Sequence, residues 1–280
     1  MRCEEVTDYL RTLCGVSIPG DDLGYLHGDG SADCTGVACL WMATTAALDR
    51  CCREKLNLVV VHEALLQGFQ ASRWYPDPPA DAKAVNRTKI ERLDRGRLNV
   101  FRVHSAWDNA PDGHGVPDAC AAALGWTQLH AASEFCRVWR IEPTRLGWLA
   151  EQVGQAMARD LGHGPIRTRP RLFGDPRRMI ERVGLAIGGF GGNQLHMPYH
   201  LAEMGAETII TGDLVEEFAI VAAELGLGVI GTLHSWTEEF AVAGQARLLR
   251  EHFAGLRVMH WRTGVESFAP GPIADDAANA

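Results

Sequence analysis

The chain has 280 residues, 46% of them apolar and 22% charged, with a formal net charge of -8. That length holds one large domain or two modest ones, and the apolar share is that of a folded globular protein. The acidic balance argues against a nucleic-acid groove or an anionic membrane partner. No apolar run reaches transmembrane length, and the start, Met1-Arg2-Cys3-Glu4-Glu5, lacks the apolar core of a secretory leader. A cytoplasmic protein with neither membrane nor nucleic-acid partners is expected.

The eight cysteines, at positions 3, 14, 34, 39, 51, 52, 120 and 136, all lie in the first half, and none forms Cys-x-x-Cys. Adjacent Cys51 and Cys52 have poor geometry for a mutual disulfide. Small buried thiols are expected, without a cysteine-ligated zinc.

In chain order, Val6, Leu10 and Leu13 share one face of a predicted helix over residues 1 to 14. The Gly/Asp-rich stretch from Gly20 to Asp33 reads as a loop. A strand over Gly36 to Met42 is followed by a helix to about Arg53, capped by Thr44 or Thr45. Leu56 to Val61 is β-branched without alternation, the pattern of a strand covered on both faces. Strand, helix, strand here is a βαβ pattern.

The stretch from Gln67 to Ala84, with Trp74, Tyr75 and three prolines, reads as a loop that either roofs a strand end or lies plainly on the surface. A helix over Ala84 to Arg95 and a strand over Leu98 to Val103 follow. Asp112 to Gly115 is a turn, and Val116 to Leu124 a helix closed by Gly125. Leu129 to Ile141 is strand-like, and Glu142-Pro143-Thr144 is expected to open a helix over Leu146 to Leu161.

The rhythm then repeats. A strand over Val183 to Ile187 runs into Gly188-Gly189-Phe190-Gly191-Gly192 and a helix to about Met204. A strand over Thr208 to Thr211 precedes Gly212-Asp213 and a helix to about Leu225. A strand over Val229 to Leu233 precedes a helix from near Ser235 to about Leu256, and a last strand covers Val258 to Trp261. Residues 268 to 280 read as a frayed end. The expected fold is α/β: two lobes with mixed sheets flanked by helices. Residues 1–130 form the first lobe, completed by part of the C-terminal segment, and residues 131–280 form the second.

Three strand ends carry metal-ligand residue types: His62 with Glu63, His104 with Asp108, and His234 with Glu238. His234 and Glu238 are one helical turn apart, so both can point at one place. Open α/β sheets bind ligands at the carboxyl ends of their strands. Imidazole and carboxylate together suit Mn, Fe, Co, Ni or Zn. A carboxylate can bridge two ions about 3.5–4 Å apart, as in two-metal hydrolases. Taken alone, any one pair reads more simply as exposed polar side chains or a helix cap, and it is the three pairs at three strand ends that point to a metal site. Other candidates are His196 and His200, at i and i+4 but interrupted by Pro198; the Gly188–Gly192 run, either a tight turn or a phosphate cradle; Asp213, either a helix cap or a site residue; and His114 in its glycine loop.

The motifs in order resemble the Nif-three-like family of dinuclear-metal proteins, also known as GTP cyclohydrolase I type 2-like. Val60-Val61-His62-Glu63-Ala64-Leu65 stands where the family has a strand ending in His-His-Pro, or in some members His-Glu-Pro. His104-Ser105-Ala106-Trp107-Asp108 is similar to His-Thr-Asn-x-Asp. Ile210-Thr211-Gly212-Asp213 and Leu233-His234-Ser235-Trp236-Thr237-Glu238 are similar to the later signatures, with Leu233 in place of the family's glycine. The resemblance covers about residues 5 to 262. It implies two divalent ions held by His62, Asp108, His234 and Glu238, with Glu238 bridging and the site in the cleft between the lobes. Glu63 stands where the family has a second His, which hardens the site toward Mn, Fe or Mg. His104 matches a site-lining residue, an acid/base group or a packed hydrogen-bonded one. The resemblance further implies a toroidal hexamer and a metal-dependent hydrolase of a small, nucleotide-like substrate, with catalysis by His104 and Glu238. The alternative is a non-catalytic metal-handling or regulatory protein.

Overall fold

The runs 37–40, 58–61, 208–211 and 228–231 are buried at every position. Strands covered on both faces belong in the middle of a sheet, and these four form the parallel centres of two sheets. The computed structural model describes residues 1–16, 18, 23–68, 79–160 and 170–264.

In chain order the elements are α1 (Cys3–Leu13), β1 (Gly24–His27), β2 (Val37–Leu40), α2 (Thr45–Glu54) and β3 (Leu58–Val61). Next come α3 (Ala84–Gly96), β4 (Asn99–Arg102), α4 (Ser105–Asp108), α5 (Val116–Ala123), β5 (Gln128–Ser133) and β6 (Cys136–Arg145). The chain continues with α6 (Leu146–Asp160), β7 (Arg171–Phe173), β8 (Met179–Ala186), α7 (Phe190–Asn193) and α8 (Met197–Glu203). It closes with β9 (Thr208–Thr211), α9 (Glu216–Glu224), β10 (Gly228–Gly231), α10 (His234–His252) and β11 (Val258–His260).

The first sheet has the order β1-β4-β3-β2-β11 and the second β5-β6-β8-β9-β10-β7. β2, β3, β4 and β11 run parallel, with β1 antiparallel on β4. β8, β9 and β10 run parallel, while β5, β6 and β7 join antiparallel. The fold is therefore mixed α/β, two mixed sheets flanked by helices, as expected. No described helix is long and apolar enough to cross a membrane.

Burial is layered by strand alternation. Val37, Cys39, Leu58, Val60 and Phe101 of the first sheet share one core with Val183, Leu185, Ile210 and Ile230 of the second, together with Val242 and Leu249 of α10. The alternate residues Ala38, Leu40, Val59 and Val61 face Leu48, Cys51 and Leu93 of α2 and α3. Val138, Ile209 and Val229 face Leu201 and Phe218 of α8 and α9.

Several expectations need correction. The stretch read as a loop from Gly20 to Asp33 contains β1, whose half-buried Gly-Tyr-Leu-His has no apolar alternation and is held by pairing with β4. Glu142-Pro143-Thr144 does not open a helix: β6 runs through to Arg145, and its register slips between Arg140 and Thr144, where Pro143 has no N–H to donate. The single helix expected before Met204 is two short ones, α7 and α8, with Pro198 in the first turn of the second. The strand before His234 stops at Gly231, and Leu233 is the extended residue that precedes α10. Thr44, rather than Thr45, caps α2 by accepting from Ala47 N. The cysteines are free, but Cys52 is exposed and Cys14 and Cys34 are half-buried. The Trp74 and Tyr75 roof and the frayed end lie outside the described residues.

Candidate metal centre

Register aligns the strand ends. Leu40 lies opposite Val61 and Val61 opposite Arg102, so the residues just past β2, β3 and β4 emerge side by side. In the second sheet Ala186 lies opposite Thr211 and Thr211 opposite Gly231. Past these ends stand Trp41, His62, Glu63 and His104 from one sheet and Gly188, Asp213 and His234 from the other. The helices that start nearby add Asp108 and Glu238.

His62 is fully buried. Its Nδ1 lies 3.2 Å from the Val103 carbonyl, which can only accept, so that nitrogen carries hydrogen and Nε2 points the other way. Nε2 is buried without a hydrogen-bond partner among the described residues. Two carboxylate oxygens flank it, Asp108 Oδ1 and Glu238 Oε2, each 3.4 Å away and too far for a good hydrogen bond.

His234 is held in the same fashion. Its Nδ1 lies 3.1 Å from Asp213 Oδ2, which turns Nε2 toward Glu238 Oε1 at 3.1 Å and Glu63 Oε1 at 3.2 Å. One Nε2–H cannot serve two acceptors well, whereas a cation can. A carboxylate behind a ligating imidazole is a recurrent metal-site arrangement. Asp213 therefore buttresses His234 and does not cap α9, which begins after Val215 without a side-chain cap.

Buried carboxylates that converge need positive charge, which the neighbouring imidazoles can supply by holding a proton. Burial pulls His62 down, but Glu238, Asp108 and Glu63 outweigh it and raise its pKa to about 9. Burial opposes His234 too, yet the hydrogen bonds to Asp213, Glu238 and Glu63 bring it to about 12. For Glu238 and Glu63 burial acts upward, but the neighbouring imidazoles win and hold both carboxyls below their usual range. The donor atoms thus fit one or more hard or borderline divalent ions: two imidazole nitrogens face three carboxylates.

Among the described residues, two groups have ligand atoms within 4.8 Å of one another, His62 with His104 and Asp108, and His62 with Glu63 and Glu238. His104 thus stands closer to the centre than a lining role requires. Its ring centroid is 4.8 Å from that of His62, and its Nε2 is 4.0 Å from Glu63 Oε1.

The glycine run is a wall of this centre. Gly188 has φ +65°, and a Cβ there would lie 2.1 Å from Glu238 Oε1 and 3.2 Å from His234 Nε2. Its N–H donates to buried Thr237 Oγ1, which in turn donates to the His234 carbonyl. The tight-turn reading holds, with close approach as its cause.

The remaining candidates lie elsewhere. His196 is exposed, and His200 Nε2 is 2.7 Å from Ser133 Oγ, so the pair does not converge on a cation. His114 stacks near Trp107, with ring centroids 6.4 Å apart, and lines a groove of about 310 Å³ between α5 and α10. Trp41 escaped the sequence reading. It directly follows β2, but the strand predicted over Gly36 to Met42 runs through it, so no predicted strand end marks it.

Fold and site define a two-sheet α/β protein with a buried imidazole–carboxylate cluster of metal-ligand type. The chain belongs to the Duf34/NIF3 (NGG1p interacting factor 3) family, whose model matches residues 1–266. It is 24% identical over 221 residues to a "GTP cyclohydrolase 1 type 2 homolog" of Neisseria meningitidis serogroup B, covering 78% of this chain and 80% of the relative. Among solved structures it resembles protein ybgI, described as of unknown function, with TM-score 0.77 at 20% identity over 95% of this chain and 100% of that one. It also resembles a Bacillus cereus protein related to NIF3, with TM-score 0.76 at 14% identity over 95% and 97%. At these identities the likeness to solved structures is one of fold.

Proposed function

We propose that this protein holds two divalent cations in the cleft between the two sheets and is a metal-dependent hydrolase of a small, nucleotide-like substrate. One observation carries the reading: the buried Nε2 of His62, without a hydrogen bond, between two carboxylate oxygens 3.4 Å away. His62, Asp108 and Glu238 Oε2 would hold one ion, and His234, Glu63 and Glu238 Oε1 the other. Such ions, when bound, polarise a carbonyl or phosphoryl oxygen and lower the pKa of water. Each pocket has one nitrogen and two oxygens, with Glu63 in the place of a histidine, a set that favours Mn, Fe or Mg over softer ions. Partly exposed His104 stands beside this donor set, where an imidazole can carry a proton between the site and solvent.

The name of the Neisseria relative supports a nucleotide-like substrate. A homo-hexamer and a cytoplasmic location complete the proposal. So does a division into lobes, residues 1–130 with the strand at 258–260, and residues 131–280.

Elemental analysis of protein purified without added metal tests the reading. More than one equivalent of Mn, Fe, Co, Ni or Zn per chain is expected, and none even after reconstitution overturns it. For hydrolysis, turnover should vanish in D108N while the fold persists. Tight, exchangeable metal without turnover on phosphoester, amide or purine-ring substrates would make this a metal-handling protein instead.

A further inference from the structure

Trp41 touches four of the five proposed ligands, and no motif included it. It follows β2, whose last residue lies opposite Val61 of β3. Its backbone carbonyl accepts from the N–H groups of His62 at 3.2 Å and Glu63 at 2.8 Å. Its indole N–H donates to Glu238 Oε2 at 2.7 Å. Its ring lies 5.5 Å from that of His234, tilted at 59°. The next residue is anchored as well, Met42 N donating to Thr263 Oγ1 at 2.9 Å.

We infer that Trp41 is a positioning residue of the centre, whose indole N–H holds Glu238 with one oxygen toward each imidazole. The inference rests on the metal-centre reading. A glutamate has three rotatable side-chain bonds, and a carboxylate shared between two ions must keep its plane. Glu238 Oε1 faces His234 Nε2 at 3.1 Å, and Oε2 faces His62 Nε2 at 3.4 Å. On the imidazole side His234 Nε2 holds Oε1, but nothing there fixes Oε2, because His62 makes no true hydrogen bond to it. The indole N–H does. It is a short, charge-assisted hydrogen bond from a side chain whose own backbone is tied to the strand end bearing the other ligands. A phenyl ring in its place would fill most of the volume and leave Oε2 free to rotate.

The test uses the full chain, wild type and W41F, with Mn2+ and Zn2+ as probes. Isothermal titration of EDTA-treated protein should give Mn2+ affinity about ten- to a hundredfold weaker in W41F, the usual effect of losing a partner behind a ligand. Circular dichroism should stay unchanged. If wild type and W41F bind Mn2+ equally, the inference falls while the metal centre stands. If wild type binds no Mn2+, both fall. A second measurement does not depend on the variant folding: the indole N–H resonance of Trp41 in wild-type protein, assigned by triple-resonance NMR. It should move on addition of Zn2+, and a resonance indifferent to Zn2+ overturns the inference.

Discussion

Gly188 shows how narrow the tolerance of the centre is at the scale of one residue. Alanine there must adopt φ near +65° and place its Cβ 2.1 Å from Glu238 Oε1. The backbone strain costs about 1 kcal/mol. The carboxylate, being a side-chain tip, moves aside, so G188A should lose far more in metal affinity than in stability. Mn2+ titration beside a thermal melt checks both. The imidazoles give a pH dependence. His62 and His234 have pKa values raised above 6.5 by Glu63, Asp108, Glu238 and Asp213, with His104 the further titratable neighbour. The stability that these imidazolium groups contribute is full below about 6.5 and is lost as pH rises through about 9 for His62 and on toward about 12 for His234. The depressed carboxyls act in the opposite sense, contributing above 4.5 and losing that contribution in acid. EDTA-treated protein should therefore be less stable to urea at pH 9.5 than at pH 6.5. Binding of Mn2+ at pH 7 should release protons, measurable by titration in buffers of different ionisation enthalpy.

Among the elements, α10 combines site and core. Its first two turns carry His234 and Glu238, and its buried face supplies Trp236, Val242, Ala246 and Leu249 to the shared core. Next to Glu238, fully buried Glu239 faces the other way. It lies 2.9 Å from His260 Nε2 of β11 and accepts from Thr263 N at 3.2 Å. These contacts fasten the last strand, and the loop holding Met42, to the helix that bears two of the proposed ligands. Removing a buried carboxylate strands its partners, so E239A should destabilise the fold by about 3 kcal/mol in urea unfolding. Because His260 and Thr263 are not ligands, Mn2+ affinity should fall much less in E239A than in D108N. The two titrations compare them directly.

Taken whole, the molecule brings the proposed ligands, from residue 62 to residue 238, around one point, so ions held there would cross-link both sheets. Anything that binds only the folded state stabilises it by mass action. At a free Mn2+ concentration about a hundredfold above Kd the gain is about 2.7 kcal/mol per site. For a chain of this size each kcal/mol raises Tm by roughly 2–4 °C. Differential scanning calorimetry of EDTA-treated protein with added Mn2+ should show the upward shift, and H234A should abolish most of it.

Much of the site was legible because ligand chemistry at strand ends leaves a local signature. A buried, β-branched run followed by His or by His and an acid marks β3 and β10 without any tertiary knowledge, and spacing alone brings His234 and Glu238 to one turn of helix. Helices α1, α2 and α5 were legible from an apolar face, a cap and a closing glycine for the same local reason. What the tertiary structure alone decided were the partnerships. β1 exists because β4 offers it an edge, and β6 runs through Pro143 because β8 holds the register on either side. Asp213 turned out to be the buttress of His234, Gly188 the wall behind Glu238, and Trp41 a neighbour of four proposed ligands. These contacts join residues 21 to 197 positions apart. Hydrogen bonds, close approach and burial act through space, and local periodicity carries no record of them.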